Sequence, residues 1–108
     1  MYKFKKELSE EDRIGFLQRT ILIHSYLYYI KDNPLWTDKQ FDDIAKQLFN
    51  LQTDYINKNG LNKFKKTEYG YVFHDFNSST GFYLYNKLKN KDKKVIECIA
   101  ENLLAMHK

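Results

Sequence analysis

A single proline and four glycines in 108 residues constrain the fold of this chain more than any other feature. Proline and glycine are the residues that most disfavour a helix interior. Their scarcity therefore predicts long helices that end at a few defined points. Pro34 marks one such point, because proline disfavours helical geometry in the residue before it. Asn59-Gly60 marks another, since glycine commonly follows the last residue of a helix.

The first predicted helix covers residues 10–31. Ser9 and Asp12 have the spacing of a capping box, and Glu10 and Glu11 lie in the first turn, where the helix dipole favours acidic residues. Two apolar stripes follow: Ile14, Leu17, Ile21, His24 and Tyr28 in one, and Phe16, Ile23, Leu27 and Ile30 in the other. So broad an apolar arc indicates contacts on more than one side, and this helix is predicted to be central.

The second predicted helix covers residues 38–57. Thr37 and Gln40 form another capping-box pattern at its start. Its apolar side chains recur at three- and four-residue steps, namely Phe41, Ile44, Leu48, Leu51 and Tyr55. The short connection through Pro34 favours an antiparallel hairpin of these two helices.

The remaining chain is predicted to form an aromatic segment followed by further helix. Residues 61–80 are interpreted as an aromatic loop or a short strand near 69–74, because Tyr69, Tyr71 and Phe73 alternate with other residues. Residues 81–107 are predicted to be helical, with Val95, Ile99, Leu103 and Met106 as the apolar face of the last helix. The fold class is thus mainly α, an antiparallel helical hairpin plus C-terminal helices, in one domain spanning 1–108.

Aromatic residues make up 17% of the chain, and nine of them are tyrosines. Rigid rings among small polar residues are typical of recognition surfaces, so a partner-binding surface is predicted at Tyr69, Tyr71, Phe73, Phe76, Phe82 and Tyr83. The alternative is that Phe73, Phe76 and Phe82 close one end of the hairpin.

The formal charge of +4 is small, but the lysines are clustered. Clustered lysines neutralise phosphates, so a weak nucleic-acid surface is predicted at Lys63, Lys65, Lys66, Lys91, Lys93 and Lys94. The alternative is that they are solvated residues of loops and helix ends.

Several kinds of chemistry find no support in the sequence. The three histidines lack metal-ligand spacing, and Cys98, the only cysteine, lies among apolar residues and is predicted to be buried and inert. No catalytic residue, metal or cofactor is predicted. No apolar run approaches the roughly 20 residues that span a bilayer, and no secretory signal is recognisable, so the expected location is the cytoplasm.

The sequence around Pro34 resembles a known family. It runs Tyr26-Leu27-Tyr28-Tyr29-Ile30-Lys31-Asp32-Asn33-Pro34-Leu35-Trp36-Thr37-Asp38-Lys39-Gln40-Phe41-Asp42. It is similar to the N-terminal helical subdomain of bacterial NAD-dependent DNA ligases, a helical hairpin that closes over the nicotinamide mononucleotide half of NAD. The resemblance covers about thirty residues, and small phage proteins are known to carry this hairpin detached from a ligase.

The resemblance implies a ligand site at five positions. Tyr28, Asp38 and Asp42 keep the residue types that line the nicotinamide site in the family. Tyr29 stands where the family has histidine, and Phe41 where it has tyrosine. The alternative for Tyr28 is a place in the core. For the two carboxylates it is helix stabilisation, with Asp42 paired to a lysine one turn later.

The lysine nucleophile of ligases lies in a Lys-x-Asp-Gly setting, and none of the four glycines here follows an aspartate. The resemblance therefore implies a binding module and not an enzyme. The leading hypothesis is a phage-encoded, non-catalytic protein that docks on a host protein, for example as a defence inhibitor such as an anti-CRISPR. The alternatives are a module that binds nicotinamide mononucleotide or NAD, and a nucleic-acid-binding accessory protein.

Overall fold

The structure is a computed structural model that describes residues 8–76 and 81–106, with the backbone alone for residues 81–83. Its elements in chain order are α1 (Glu10–Tyr29), α2 (Asp38–Asn59), α3 (Leu61–Lys65), α4 (Gly70–Phe73), a 3₁₀ helix (Gly81–Lys87) and α5 (Asn90–Met106). These segments contain no strand. The predicted fold class, mainly α with a helical hairpin and C-terminal helices, is confirmed.

Local sequence signals set the start and end of α1. The hydroxyl oxygen of Ser9 accepts a hydrogen bond from the amide of Asp12 at 3.1 Å. At the other end the helix stops at Tyr29, two residues before the predicted end. The backbone of Asp32 adopts a positive φ of 49°, a left-handed conformation that aspartate tolerates better than most residues. The chain therefore turns before it reaches Pro34.

The N-terminus of α2 is a complete capping box. Thr37 accepts from the amide of Gln40 at 3.1 Å, and the Gln40 side chain accepts from the amide of Thr37 at 2.8 Å. Each bond satisfies a backbone donor that the first turn leaves without a helical partner. The predicted position of this helix start is confirmed.

Helix α1 is the centre of the molecule. It packs against α2, the 3₁₀ helix and α5, as its broad apolar arc predicted. Gln18 and Gln52 join the two hairpin helices inside this core. The Gln18 amide donates to the Gln52 side chain at 3.0 Å, and the Gln52 amide reaches the carbonyl of Phe73 at 3.4 Å. Because buried amides are costly without partners, these bonds help to fix how the hairpin and α4 meet.

The aromatic segment differs from the sequence-based expectation. Residues 61–76 form two short helices, α3 and α4, joined by turns, so neither a plain loop nor a strand near 69–74 describes them. The alternation of rings arises because Tyr69 and Phe73 lie one helical turn apart and are both buried. Gly70 permits the close approach of α4 to α3, since a Cβ at this position would lie 2.1 Å from the carbonyl oxygen of Phe64.

The predicted apolar face of α5 is wrong at three of its four residues, and only Leu103 is half-buried and packed against the core. Ile96 and Ala100 are its buried residues, whereas Val95, Ile99 and Met106 are 48, 36 and 79% exposed. The two sets are offset by one position, which rotates the helix by about 100° about its axis. The same rotation exposes Cys98, so the prediction of a buried thiol was also wrong.

Much of the tyrosine content holds helices together through phenol–carboxylate hydrogen bonds. The donors and acceptors are Tyr26 to Glu101 (3.1 Å), Tyr71 to Asp92 (2.6 Å), Tyr85 to Glu97 (2.5 Å), and Tyr55 to Glu11. Tyr55 joins the two hairpin helices, and Tyr26 joins α1 to α5. Each ring also fills space at the core, so these tyrosines combine apolar burial with a directional bond.

Candidate functional site

The candidate ligand site is a cleft between the C-terminal end of α1 and the N-terminal end of α2. Its lining comprises His24, Tyr28, Pro34, Leu35, Trp36, Thr37, Asp38 and Phe41. The turn through Pro34 reverses the chain, and this reversal brings Tyr28 of α1 and Asp38 of α2 to one site. The structure thus brings together three of the five predicted ligand residues, namely Tyr28, Asp38 and Phe41.

Trp36 fills the cleft from the loop side. Its ring stacks on His24 with centroids 3.6 Å apart and planes 9° from parallel, and it meets Phe41 edge-on at 6.2 Å. The cleft consequently has a volume of only about 10 Å³, about the space of one water molecule.

Tyr28 is 38% exposed, so it lies at the rim of the cleft. The alternative interpretation, that Tyr28 belongs to the core, is wrong. Asp38 is exposed in the first turn of α2, and Asp42 is exposed one turn later. Phe41 is buried and belongs to the floor. The exposed Tyr28 ring and the exposed Asp38 carboxylate give this cleft an aromatic face and a negative charge.

Two of the five predicted ligand residues do not line the cleft. Tyr29 is exposed and meets the ring of Tyr28 edge-on, with centroids 5.4 Å apart. Asp42 also lies outside the lining. The ion pair on this part of α2 is formed by Lys39 and Asp43 at 3.0 Å, and this hydrogen bond lowers the pKa of the Asp43 carboxyl.

Sequence analysis missed His24 and Trp36 as cleft residues. A signal for His24 was present, because it precedes Tyr28 by four residues and therefore lies on the same face of α1. Trp36 offered no such periodic signal, since it lies in the connection between the helices. Only the tertiary structure shows that the two rings stack.

The predicted partner surface in the aromatic segment is largely part of the core. Tyr69, Phe73 and Phe76 are buried and do not form a surface. Tyr71 is half-buried and hydrogen-bonded to Asp92. The predicted residues Phe82 and Tyr83 are not among those whose side chains the structure describes. The burial of Phe73 and Phe76 in the core agrees with the alternative that places them against the hairpin.

The clustered lysines occupy two separate helices. Lys63 and Lys65 are exposed on α3, Lys66 follows it, and Lys91 and Lys94 are exposed on α5. Lys93 places its ammonium nitrogen 5.5 Å from the centroid of the Tyr85 ring, so this lysine contacts the protein itself. Nucleic-acid binding by the others stays a prediction.

Two further features of the described chain bear on the site. Within residues 8–76 and 81–106, no three histidine, cysteine, aspartate or glutamate side chains are grouped so that they could hold a metal ion. No helix in these ranges is both long enough and apolar enough to cross a membrane.

Comparison with known proteins shows which family the hairpin resembles. Residues 7–58 match the family described as the DNA ligase-like, N-terminal NAD+-binding domain. The hairpin is ligase-like. The matched range contains α1, the Pro34 turn and nearly all of α2, so the ligase-like hairpin includes every residue of the cleft. The resemblance seen in the sequence is confirmed over a longer stretch than the residues that first suggested it.

Three DNA ligases show the extent of the similarity. The ligase of Psychrobacter cryohalolentis is 33% identical over 54 residues, which are 46% of this chain and 8% of that ligase. DNA ligase 1 of Clostridium acetobutylicum is 39% identical over 57 residues, 43% of this chain and 9% of that ligase. The ligase of Psychrobacter arcticus is 32% identical over 54 residues, 46% of this chain and 8% of that ligase.

The chain therefore spans less than a tenth of the length of these relatives. No solved structure matches it. The family description names NAD+, which agrees with the nicotinamide nucleotide implied by the sequence resemblance. What the similarity establishes is that residues 7–58 resemble the N-terminal domain of DNA ligases.

Proposed function

We propose that the chain is a non-catalytic binding module whose ligase-like hairpin binds the nicotinamide mononucleotide half of NAD+. The observation that carries this proposal is the meeting of Tyr28 and Asp38 at one cleft across the Pro34 turn. Tyr28 supplies an exposed ring and Asp38 an exposed carboxylate. These two groups come from the two helices of the hairpin, so a ligand held between them requires the folded hairpin.

The chemistry of the two groups suits a nicotinamide nucleotide. The nicotinamide ring is a flat cation in NAD+ and in its mononucleotide, and a flat cation is attracted to the face of a tyrosine ring. A carboxylate accepts hydrogen bonds from ribose hydroxyls and also attracts the positive ring. Phe41 provides the buried apolar floor on which Trp36 rests.

We expect Asp38→Asn to weaken binding of nicotinamide mononucleotide by about tenfold to a hundredfold, the range for loss of a charge-assisted hydrogen bond. Calorimetric titration of the whole chain with the mononucleotide, with NAD+ and with AMP measures this. AMP lacks the nicotinamide ring and is expected to bind more weakly than the other two. Tyr28→Phe should retain binding, whereas Tyr28→Ala should lose it.

The matched control is Asp54→Asn, which removes an exposed carboxylate more than four turns further along α2. It should leave the affinity unchanged. The proposal fails if the mononucleotide produces no heat at millimolar concentration, or if Asp38→Asn binds as tightly as the original chain. Thermal melting of each variant separates loss of binding from loss of fold.

The exposed apolar stripe of α5 favours a second candidate function, docking on a host protein. Val95, Ile99 and Met106 are exposed at helical spacing, which is the pattern of a helix that lies in an apolar groove. Lys91 and Lys94 are exposed at one end of this stripe. The partner we propose is a bacterial protein with an apolar groove and acidic residues at one end. A phage-encoded inhibitor of a host defence, such as an anti-CRISPR, would act in this way.

Affinity capture from a bacterial lysate tests the docking proposal when it is done with paired variants. The original chain should retain one stoichiometric partner that Ile99→Glu loses, because a charge on the stripe cannot enter an apolar groove. Asp54→Asn and Tyr28→Ala should both retain it. A partner that survives Ile99→Glu, or one that Tyr28→Ala releases, would contradict docking through α5.

A further inference from the structure

A second, larger cavity lies at the opposite end of α1 from the nucleotide cleft. Its volume is about 450 Å³, which is within the range of about 300–1,000 Å³ that small-molecule sites occupy. Its walls come from the first half of α1, from Tyr55 near the end of α2, from Phe64 of α3, and from the turn after α3. The cavity shares no lining residue with the cleft.

The walls combine apolar surface with an excess of negative charge. Ile14, Phe16 and Phe64 supply apolar surface. The charged lining residues are Glu11, Asp12, Glu68 and Arg19, three carboxylates against one guanidinium. The whole chain has a formal charge of +4, so the net charge of these walls is opposite in sign to that of the chain as a whole.

Two polar groups in the wall are held in place by bonds within the protein. The buried Tyr55 hydroxyl donates to Oε1 of Glu11, and a carboxylate so bonded keeps further lone pairs for a ligand donor. Gln18, 2% exposed, donates its side-chain amide to Gln52. Glu11 is thus an anchored acceptor at the edge of an apolar wall.

Gly15 contributes to keeping the cavity open. It lies within α1, where glycine costs about 1 kcal/mol relative to alanine. A Cβ added to Gly15 would have no atom within 4 Å, so packing inside the protein does not require a glycine here. The residue lines the cavity, and a long side chain at this position would enter the space.

We propose that this cavity binds a small organic cation, a protonated amine carried on an apolar body about the size of one ring. The carboxylates of Glu11, Asp12 and Glu68 would attract the ammonium group, and Ile14, Phe16 and Phe64 would contact the apolar body. The charge excess of the walls selects a cation over an anion, and their apolar part selects an amine with a hydrocarbon body over a bare inorganic ion.

The test compares three probes with the same phenyl body and different charge: phenethylamine, 2-phenylethanol and 3-phenylpropanoate. The whole, uniformly ¹⁵N-labelled chain is titrated with each, and amide shifts are followed by NMR. We expect phenethylamine to shift the amides of Gly15 and Thr67 and to bind about tenfold or more tightly than the alcohol. The propanoate should bind least. The amides of Tyr28 and Asp38 should not move.

Two substitutions at Gly15 provide a blocking variant and its control. Gly15→Leu should abolish the shifts because its side chain fills the cavity, while Gly15→Ala should keep phenethylamine affinity within about twofold, since the added methyl group has no close neighbour. Glu68→Gln should reduce the preference for the amine over the alcohol. If Gly15→Leu does not fold, the proposal is judged by whether Glu68→Gln reduces the preference for the amine over the alcohol.

The proposal is overturned if the alcohol binds as tightly as the amine, if Gly15→Leu binds normally, or if none of the probes shifts these amides at millimolar concentration. Failure here is distinguishable from failure of the nucleotide proposal, because the two sites have separate reporter amides and separate ligands.

Discussion

The variant Gly70→Ala is expected to lose about 3 kcal/mol of its free energy of unfolding, at the upper end of the usual cost of overpacking. The methyl group would lie 2.1 Å from the carbonyl oxygen of Phe64 and 2.8 Å from the Cα of Lys65. Both are backbone atoms, so no side chain can rotate away. Relief requires α4 to move from α3, which would pull Tyr69 and Phe73 out of the core.

Urea denaturation followed by circular dichroism measures this loss, and thermal melting should show a fall in Tm of roughly 15 °C for a chain of this size. The control is Gly15→Ala, the same substitution inside α1. It meets no atom within 4 Å and should raise stability by about 0.5–1 kcal/mol through helix propensity. Equal effects of the two substitutions would contradict the close packing of α4 on α3.

The second large effect is a loss of stability in alkaline solution. The hydrogen bond to Glu11, together with burial, raises the pKa of Tyr55 to about 12. Burial, together with the bond to Asp92, raises the pKa of Tyr71 to about 12. Burial and a carboxylate partner also raise the pKa of Tyr26 and of Tyr85. In the unfolded chain these phenols return to the ordinary value of 10.0.

The sign follows from which state binds more protons. Below pH 10 both states carry the phenolic protons, so the full stabilisation is present. Between about pH 10 and 12 the unfolded chain releases them first, so the free energy of unfolding falls as the pH rises. We expect each of Tyr55 and Tyr71 to contribute about 1–2 kcal/mol to this fall, after allowance for screening by solvent.

Urea denaturation at pH 8, 10 and 11.5 measures the fall, and ultraviolet absorbance at 295 nm follows phenolate formation. The double variant Tyr55→Phe, Tyr71→Phe should be less stable at pH 8, because it loses the bonds to Glu11 and Asp92 and the one that the Tyr71 hydroxyl accepts from the Lys89 amide. It should also show a shallower pH dependence. A double variant whose stability falls as steeply as that of the original chain would show that these pairs are not the cause.

The agreement between sequence and structure is best where the signal is local. The caps at Ser9 and Thr37, and the break before Pro34, depend on side chains and backbone within a few residues of one another. The ligase-like pattern around Pro34 belongs to this class too, because Tyr28 and Asp38 flank one short turn and the sequence therefore predicts that they meet at one site.

The errors have a common physical origin in packing between distant segments. Val95 and Ile99 look like a buried face by periodicity, but Ile96 and Ala100 fit against α1, and neighbouring stripes on a short helix differ little in hydrophobicity. Tyr69 and Phe73 alternate like a strand, yet a turn of helix buries both rings. In each case the pattern is compatible with two arrangements.

The sequence by itself determined that this chain is a helical hairpin with a ligase-like turn, because helix breakers, caps and amphipathic periods act over one or two turns. Only the tertiary structure decided which tyrosines are hydrogen-bonded to carboxylates, that Trp36 fills the cleft, and that a cavity remains beside Gly15. Such features depend on side chains that are far apart in the chain, and their contacts are selected by the shape of the whole core.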